Sequence, residues 1–465
     1  MNKKKLLQLG VPADCVGAAI HCIQKAADEK SKDKPKRILP SLLESPQTFL
    51  SDPIWGKLAE AVVAEQNTRP AEPIGYLSWG TDLDDNALKQ MENACKLPIS
   101  IAAALMPDAH VGYGLPIGGV LACDNAVIPY GVGVDIACRV KLTITDLPVP
   151  PLEENSASVC RDLDRALAKG TVFGTGGRYR DPQTHAVMDQ DWTVTAVTRE
   201  MRDRAWQQLG TSGSGNHFVE WGVVTISDPS LDIEPGTYVG LLSHSGSRGA
   251  GARVCQRYTD IARQSAPSSI RNDPQLRHLA WLDMDSEAGQ EYWAAMNLMG
   301  QYAAANHEII HRNVLRLAGA KSAYSIENHH NFAWKETHAG RDVYVHRKGA
   351  TPASKGDLGI IPGNMADSCF LVRGKGNLQS LNSASHGAGR VMSRTAAKKK
   401  FRWKEWTDHL REQNVRLLAG GIDEVPGVYK DIREVMAAQS DLVDVLGSFT
   451  PRIVMMCGDG SPAED

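Results

Sequence analysis

The first part of the chain carries apolar residues at the spacing of a helix. Between residues 13 and 29 the apolar positions are Val16, Ala19, Ile20, Ile23 and Ala26. This period predicts a helix with one buried face, and a second such pattern runs from Trp55 to about Ala64. Residues 30–37 are charged and contain Pro35, so they are predicted to form an exposed loop. Residues 1–72 are therefore predicted to be a small N-terminal helical extension.

The pattern changes at about residue 75. Short apolar runs at Gly119–Ala122 and Thr237–Leu242 predict strands, and they alternate with loops rich in Gly, Ser and His. Longer helical patterns cover residues 155–169, 193–209, 250–265, 286–318 and 430–446. Because no Pro/Ser/Gly linker or repeat interrupts this region, residues 73–460 are predicted to form one large α+β domain. Residues 461–465 remain as a C-terminal tail.

Composition narrows the class of protein without naming a function. Of the 465 residues, 42% are hydrophobic and 23% are charged, which excludes a largely disordered or fibrous chain. The 51 basic and 54 acidic residues give a net charge of -3, so any nucleic-acid binding must come from local basic patches. Aromatic residues make up only 6%, which argues against an extended base-stacking surface as the main binding device.

The cysteines and the start of the chain bear on its location. The nine cysteines are scattered and include no C-x-x-C pair, a pattern typical of free thiols in a reducing compartment. The basic start is followed by a stretch that Gln8, Pro12 and Asp14 interrupt, which disfavours a secretory signal. No run approaches the ~18 apolar residues of a membrane span. A cytoplasmic protein is expected.

Five glycine-rich segments each contain a residue type used as a metal ligand or nucleophile. They lie at 106–112, 131–138, 210–217, 243–249 and 385–390, and Asn328–Asn331 adds two histidines. Glycine lets the backbone approach a ligand closely and present N–H groups to an anion. Ordinary tight turns are the alternative for any single segment. The repeated association with His, Asp and Cys favours a phosphate or metal site.

Asp135 and Cys138 are three residues apart and can converge on a helical turn. A thiolate, imidazoles and a carboxylate together suit Zn²⁺, Mn²⁺ or Fe²⁺ better than Ca²⁺ or Mg²⁺. Taken singly, each histidine could be structural and Cys138 a small buried hydrophobe. The spacing alone does not define a metal site.

His307–His311 matches the H-E-x-x-H zinc motif inside the helical pattern at 286–318. Two histidines four apart on a helix could bind a metal, with Glu308 as a base. However, the match leaves two positions free and no third ligand follows. The favoured interpretation is two histidines on a partly solvated helix.

Several common catalytic motifs are missing from the sequence: a P-loop, a dinucleotide-binding G-x-G-x-x-G, the K-x-D-G of lysine-dependent ligases and a G-x-S-x-G elbow. A covalent nucleotide intermediate would therefore need a different nucleophile. His386 is the best candidate, because Gly387–Arg390 place backbone donors and a guanidinium beside it. A capping histidine at a turn is the alternative. The basic residues of 341–404 could form a track for a polyanion or a solvated face.

Seven segments resemble, in order, the motifs of the RtcB RNA ligases. They read MPDAHVGYGLPIGGV, GVGVDIAC, GSGNHFVE, HSGSRG, HHNF, RKGATPASKGDLGIIPGNM and SHGAGRVMSRTAAKKKF. The resemblance extends from about residue 75 to about Gly460. It implies an α+β fold with a central metal and nucleotide pocket. It also implies joining of RNA 2′,3′-cyclic phosphate or 3′-phosphate ends to 5′-hydroxyl ends, with GTP and two Mn²⁺ ions, through a guanylylated histidine and a guanylylated RNA 3′-phosphate.

The same resemblance implies roles for individual residues. His386 would be the nucleophile, Asp108 would orient its ring, and Arg248 and Arg390 would contact RNA phosphates. Cys138 would bridge the two ions, whose ligands would be Asp135, Cys138, His217, His244 and His330. The nucleotide-binding residues would be Asn216, His217, Glu220, Asn331, Pro362, Gly363, Asn364, Met365, Cys369, His386, Gly387, Ala388 and Gly389. His307 and His311 have no role in this reading.

Three positions depart from the family pattern. Asn364 and Cys369 stand where serines are usual, and Asp459 stands where family members carry a lysine that contacts the nucleotide. The charge reversal is expected to weaken GTP binding or alter base preference. Two alternatives therefore stay open: a metal- and RNA-binding regulatory subunit that has lost guanylylation, and a phosphoesterase that trims RNA ends. A ligase could also require an activating protein partner, and its role would lie in RNA repair or tRNA splicing.

Overall fold

The computed structural model describes residues 2–31, 34–67, 73–154, 157–458 and 460. The helices are α1 Lys3–Gln8, α2 Val16–Asp28, α3 Pro35–Glu44, α4 Gly56–Asn67, α5 Asp85–Cys95, α6 Pro129–Val132, α7 Pro150–Glu153, α8 Ala157–Gly170, α9 Ala196–Gln208, α10 Arg248–Ser265, α11 Ser268–Arg271, α12 Glu287–Ala318, α13 Arg394–Lys400, α14 Trp403–Glu412 and α15 Ile432–Ala438. In these ranges no helix is both long enough and apolar enough to cross a bilayer.

The strands form mixed sheets between these helices. They are β1 Tyr76–Ser78, β2 Ser100–His110, β3 Ile117–Cys123, β4 Ala126–Val127, β5 Arg139–Thr145, β6 Phe218–Ile226, β7 Gly236–Ser245, β8 Leu282–Asp283, β9 Ser322–His329, β10 Phe332–His338, β11 Arg341–Lys348, β12 Ala350–Pro352, β13 Leu358–Ile361, β14 Cys369–Gly374, β15 Ser383–Ser385, β16 Arg416–Ala419 and β17 Val443–Met456. The α+β class predicted from the sequence is confirmed.

Helices α1–α4 form the N-terminal extension and pack around a core of their own. Trp55, Leu39 and Leu58 are fully buried in it, and all members of this core lie between Leu6 and Val62. One hydrogen bond to the remainder of the chain runs from the Ser268 N–H to Asp14 (2.7 Å). An extension with a separate core can keep its shape with few contacts to the larger domain.

Most helical patterns in the sequence form helices within a few residues of their predicted bounds, and two regions differ. Helix α3 begins at Pro35, inside the predicted loop, because proline is favoured in the first turn of a helix. The pattern at 430–446 is only partly helical: α15 ends at Ala438, and β17 begins at Val443. β17 lies between β14 and β6, so sheet pairing overrides the local helical period.

The largest sheet curls into a nearly closed barrel. Its strands follow the order β13-β14-β17-β6-β7-β5-β9, and β16 pairs with β17. The two edge strands meet through one side chain: Asn328 on β9 accepts a hydrogen bond from the Ile360 N–H (2.8 Å) and donates to the Ile360 carbonyl (3.3 Å). An amide side chain thus closes the seam where backbone pairing stops.

A second sheet, in the order β1-β2-β3-β11-β10, faces the barrel. Side chains from both sheets line a central cavity, including His110 and Ile117 of the second sheet and Glu220 and His244 of the barrel. The candidate site residues therefore come from loops and strand ends that are distant in sequence. The fold brings them to one place.

Candidate metal and nucleotide site

The central cavity has a volume of about 660 Å³. The residues predicted from the sequence that line it are Asp135, Cys138, Asn216, Glu220, His244, His330, Asn331, Pro362, Gly363, Asn364, Met365, Cys369, His386, Gly387, Ala388, Gly389 and Arg390. His217 and Asp108 lie directly behind this wall, in contact with Cys138 and His386 respectively. Arg248 is not among the residues that line the cavity.

Cys138 lies at the centre of a buried cluster of ligand-type atoms. Its Sγ is 3.1 Å from His244 Nε2 and 3.5 Å from His217 Nε2. His244 Nε2 is 3.3 Å from His330 Nε2, and His217 Nε2 is 3.1 Å from Asp135 Oδ2. The atoms form two overlapping groups that share Cys138, each with its members within 4.8 Å of one another. All five predicted metal ligands thus converge.

Backbone carbonyls set the orientation of two of these imidazoles. His217 Nδ1 donates to the Ser212 carbonyl (2.7 Å), and His244 Nδ1 donates to the Asn216 carbonyl (3.2 Å). These contacts orient both rings so that their Nε2 atoms face Cys138, as the outer hydrogen bonds of metal-binding histidines do. Burial lowers the pKa of His244 to about 3 and the pKa of His330 well below its usual value. Neutral imidazoles, a thiol and a carboxylate fit a borderline transition-metal ion.

The local chain conformation explains how Asp135 and Cys138 meet. The Cys138 N–H donates to the Asp135 carbonyl (3.2 Å), which makes the turn that the three-residue spacing predicted. Gly246 is required opposite Asp135, because a Cβ there would lie 2.1 Å from the carboxylate. Burial acts to raise the pKa of Asp135, but His217, Cys138 and Arg248 together outweigh it and keep this pKa below its usual value.

His386 lies beside the cluster, with its ring centroid 4.8 Å from that of His330. Its Nδ1 donates to Asp108 Oδ2 (2.7 Å), and the same oxygen accepts the N–H groups of His386 (3.2 Å) and Gly387 (3.3 Å). The Asp108 side chain is fully buried. Gly389 packs so closely on Asp108 that a Cβ would lie 2.1 Å from its carbonyl oxygen. Because Nδ1 is engaged by Asp108, Nε2 is the His386 nitrogen that is available as a nucleophile.

The wall of the predicted nucleotide pocket contains buried polar groups whose pKa values differ from their usual ones. Burial raises the pKa of Glu220 well above its usual value, which favours the protonated carboxyl group, the form that can donate a hydrogen bond. Burial also raises the pKa of the Cys369 thiol. Asn364 caps its own loop: Oδ1 accepts from the Ala366 and Asp367 N–H groups (2.9 and 3.1 Å), and Nδ2 donates to Asp367 (2.6 Å). Asp459 and residues 461–465 lie outside the described residues.

The two arginines expected to contact RNA differ in position. Arg390 lines the cavity, where it donates to the Asp423 carbonyl (2.8 Å) and pairs with Glu424 (3.2 Å). Arg248 is only 2% exposed and its guanidinium packs against Gly213, so the expected phosphate contact finds no support at this position. Its positive charge instead lies close enough to help lower the pKa of Asp135.

The basic residues of 341–404 do not form one continuous surface track. Arg347 is fully buried, pairs with Glu336 (2.6 Å) and stacks on Trp334 (4.7 Å to the ring centroid), so it serves the fold. Arg394 pairs with Glu424, and Lys398 pairs with Asp423 (3.6 Å). The acidic pair Asp423–Glu424 thus anchors the start of α13 at the cavity mouth.

The H-E-x-x-H motif is not a metal site among the described residues. His307 and His311 are buried, contrary to the partly solvated helix face expected, and both bond to Ser243 Oγ (2.6 and 2.8 Å). His307 Nε2 also donates to the Ser245 carbonyl (3.1 Å), and His311 Nδ1 contacts Thr143 Oγ1 (2.8 Å). Glu308 points away and contacts His185 at 2.9 Å.

Lys348 is a cavity residue that sequence reasoning treated only as part of the basic track. It is buried, its Nζ donates to the carbonyls of Tyr113 (2.6 Å) and Tyr130 (3.0 Å), and burial lowers its pKa to about 8. The sequence feature that could have identified Lys348 as a cavity residue is its position directly before Gly349, at the end of β11 and inside a family motif.

Comparisons with known proteins agree with this geometry. Residues 90–457 match the family model described as "tRNA-splicing ligase RtcB". The chain is 34% identical to the RNA-splicing ligase RtcB of Escherichia coli K12 over 397 residues, which cover 80% of this chain and 95% of that protein. It is 31% identical to the tRNA-splicing ligase RtcB of Methanococcus maripaludis, with 76% and 87% covered. The family match spans most of the chain and contains every ligand of the cluster, so this protein belongs to the RtcB family.

Proposed function

We propose that this protein is an RNA ligase that joins RNA ending in a 2′,3′-cyclic phosphate or 3′-phosphate to RNA beginning with a 5′-hydroxyl, in RNA repair or tRNA splicing. It uses GTP and Mn²⁺. The observation that carries the proposal is the position of His386: Asp108 holds its Nδ1 at 2.7 Å, and its ring adjoins the Cys138 cluster. Relatives named RNA-splicing ligases align over most of the chain.

In the first step, His386 Nε2 attacks the α-phosphorus of GTP. A nitrogen–phosphorus bond forms, the bond to the bridging oxygen breaks, and pyrophosphate leaves. Asp108 keeps the proton on Nδ1 and stabilises the positive charge that develops on the ring. Because the Asp108 carboxylate is fully buried, its interaction with that charge is weakly screened.

In the second step, an oxygen of the RNA 3′-phosphate attacks the phosphorus held by His386, and the histidine leaves. The 5′-hydroxyl oxygen then bonds to the 3′-phosphorus, GMP departs and the hydroxyl proton is released. A 2′,3′-cyclic phosphate must first be opened by water to a 3′-phosphate. Guanylylation supplies the leaving group that a bare phosphomonoester lacks.

The residues that would hold the metal are Asp135, Cys138, His217, His244 and His330, and Cys138 would be common to both groups of ligands. The two overlapping groups that meet at Cys138 support this assignment. Bound Mn²⁺ would supply positive charge that neutralises phosphate oxygens during transfer. The protein's own contribution is to bury the imidazoles and to hold their Nε2 atoms close together.

The nucleotide would lie against Asn216, Glu220, Asn331, the Pro362–Met365 loop and the His386–Gly389 loop. Because burial raises the pKa of Glu220, its carboxyl group in the protonated form would donate to an acceptor on the base. Arg390 lines the same cavity and would contact RNA phosphate. Asp459 in place of a lysine is expected to reduce the preference for GTP.

A labelling experiment tests the proposal. The protein is incubated with Mn²⁺ and α-labelled GTP, and separately with α-labelled ATP, and an acid-labile protein–nucleotide adduct is sought. We expect labelling that His386→Ala abolishes and that His21→Ala, an exposed histidine in α2, leaves intact. No adduct with either nucleotide would refute the ligase assignment. Turnover of an RNA 3′-phosphate would then indicate a phosphoesterase, and RNA binding without turnover would indicate a regulatory subunit.

A further inference from the structure

A second, smaller cavity of about 310 Å³ adjoins the central one, and the two share Gly112 and Tyr113. The remaining wall comes from α5 and from residues 274–278, and its side chains are mostly amides. We call it the amide groove; its polar lining includes Asn86, Lys89, Gln90, Asn93, Gln275 and His278. In this described part of the chain, no acidic residue lines the groove.

Tyr113 stands at the junction of the two cavities on a rigid piece of backbone. On one side, the Gln90 amide donates to the Gly112 carbonyl (2.6 Å) and accepts from the Gly112 N–H (3.0 Å). On the other side, Lys348 Nζ donates to the Tyr113 carbonyl (2.6 Å). Tyr113 nevertheless remains 64% exposed as a residue. A ring held in place and left open to solvent is prepared to stack against a flat ligand.

The surroundings of the ring indicate what that ligand is. Tyr130 meets Tyr113 edge-on (centroids 6.1 Å apart, 84°), and His278 lies 5.8 Å away. His278 Nδ1 accepts from Arg263 (2.7 Å), so the neutral ring carries its hydrogen on Nε2. The His278 N–H and the Asn86 amide match the acceptors and donors on the edge of a nucleobase, whereas the Gln90 amide is used by Gly112 and the Asn93 and Gln275 amides bond to each other. Single-stranded RNA is recognised by stacking combined with such contacts.

We propose that the amide groove, with Tyr113 as its stacking platform, binds an unpaired nucleobase of the RNA strand whose end lies in the central cavity. This inference rests on the proposed function. The shared wall at Gly112 and Tyr113 gives a strand that enters the central cavity a continuous path into the groove. The absence of acidic lining residues and the presence of Lys89 suit a polyanion.

The test is binding of a fluorescent single-stranded RNA with a 3′-phosphate to the Mn²⁺-loaded protein, followed by anisotropy. Tyr113→Ala should weaken binding about 5- to 150-fold, the equivalent of the 1–3 kcal/mol of one stacked base. Tyr113→Phe should stay within about twofold, because the ring is retained. Leu378→Ala, at a residue 74% exposed elsewhere on the surface, is the matched control and should bind like the wild type.

An abasic residue moved along the RNA identifies the stacked position. When the abasic residue replaces the nucleotide that stacks on Tyr113, the RNA should bind the wild type and Tyr113→Ala with equal affinity. Unchanged RNA affinity in Tyr113→Ala, an equal loss in Tyr113→Phe, or no equalising position would each overturn the inference. If the wild type forms the nucleotide adduct but Tyr113 does not affect RNA binding, the groove assignment alone fails. If no adduct forms but RNA binding depends on Tyr113, the groove stands and the ligase assignment fails.

Discussion

Strand β7 separates two groups of histidines that look alike in composition and burial. On one face, His244 points to Cys138 and His330. On the other face, Ser243 and the Ser245 carbonyl hold His307 and His311. Alternation along a strand places Ser243 and His244 on opposite faces. The two groups differ in what the ring nitrogens contact. In the first group, the ring nitrogen that faces the cluster contacts other ligand-type atoms. In the second group, each ring nitrogen is hydrogen-bonded to a hydroxyl or a backbone carbonyl.

The second group forms a chain of hydrogen bonds with one direction. The Ser245 carbonyl can only accept, so His307 carries its hydrogen on Nε2 and accepts from Ser243 at Nδ1. Ser243 must then accept from His311 Nε2, and Thr143 donates to His311 Nδ1. Every lone pair is used inside the protein. A compact spacing motif therefore yields a structural network, while histidines scattered over more than a hundred residues offer free nitrogen lone pairs.

The largest expected effect is on the rate of adduct formation when Asp108 is replaced. Asp108→Asn should slow formation of the His386 adduct by about 10²- to 10⁴-fold, because an amide can present its NH₂ to Nδ1 and favour the wrong tautomer. The rate of labelling by α-labelled GTP measures the effect. Asp342→Asn, on an exposed carboxylate, is the control and should label normally. A rate within threefold of the wild type would show that His386 does not depend on this contact.

Cys138→Ser should lower Mn²⁺ affinity by at least ~10²-fold, because the shared ligand of both groups is lost from a site where even indirect partners contribute 10–100-fold. Isothermal titration with the metal measures it. Cys160→Ser, a buried thiol in α8 outside the cluster, is the matched control. Full stoichiometry and affinity in Cys138→Ser would contradict the bridging role.

His307→Ala should lower the stability of the protein and leave its Mn²⁺ affinity nearly unchanged. It removes two hydrogen bonds and leaves the Ser245 carbonyl and Ser243 hydroxyl buried without their partner, so the free energy of unfolding should fall by about 2–4 kcal/mol. Urea titration of the metal-free protein measures this loss. Mn²⁺ affinity should change less than about tenfold, since His307 is not a ligand. A large loss of metal affinity with unchanged stability would erase the distinction between the two groups.

The smallest expected effect is on the pH dependence of the free energy of unfolding. Burial lowers the pKa of His311 to about 3 in the folded protein, whereas the unfolded chain titrates near 6.5. The unfolded state therefore binds the proton first as pH falls, and stability is lost progressively from about pH 6.5 towards pH 3. One such histidine contributes a loss of about 1.4 kcal/mol at pH 5.5. His311→Gln should reduce the pH dependence of unfolding by that amount; an unchanged slope would contradict it.

Sequence reasoning recovered the site better than the local structure around it. The glycine-rich motifs led to the residues that converge at Cys138 and His386, because the family pattern preserves order and identity along the chain. The burial of Arg248 could not be predicted, since it results from tertiary packing against Gly213. The strand β17 was partly misread as helix, because its pairing partners β14 and β6 are remote in sequence. Asn364 shows the same limit: its amide serves its own loop.

The Asn328 seam that closes the barrel lies two residues before His330. Strands β9 and β13 are held together there by one amide rather than by a ladder, so local opening should begin at this edge. A metal ion held by His330, His244 and Cys138 would tie the end of this edge strand to its neighbours β5 and β7. Metal loading should therefore stabilise β9 on the side away from the seam.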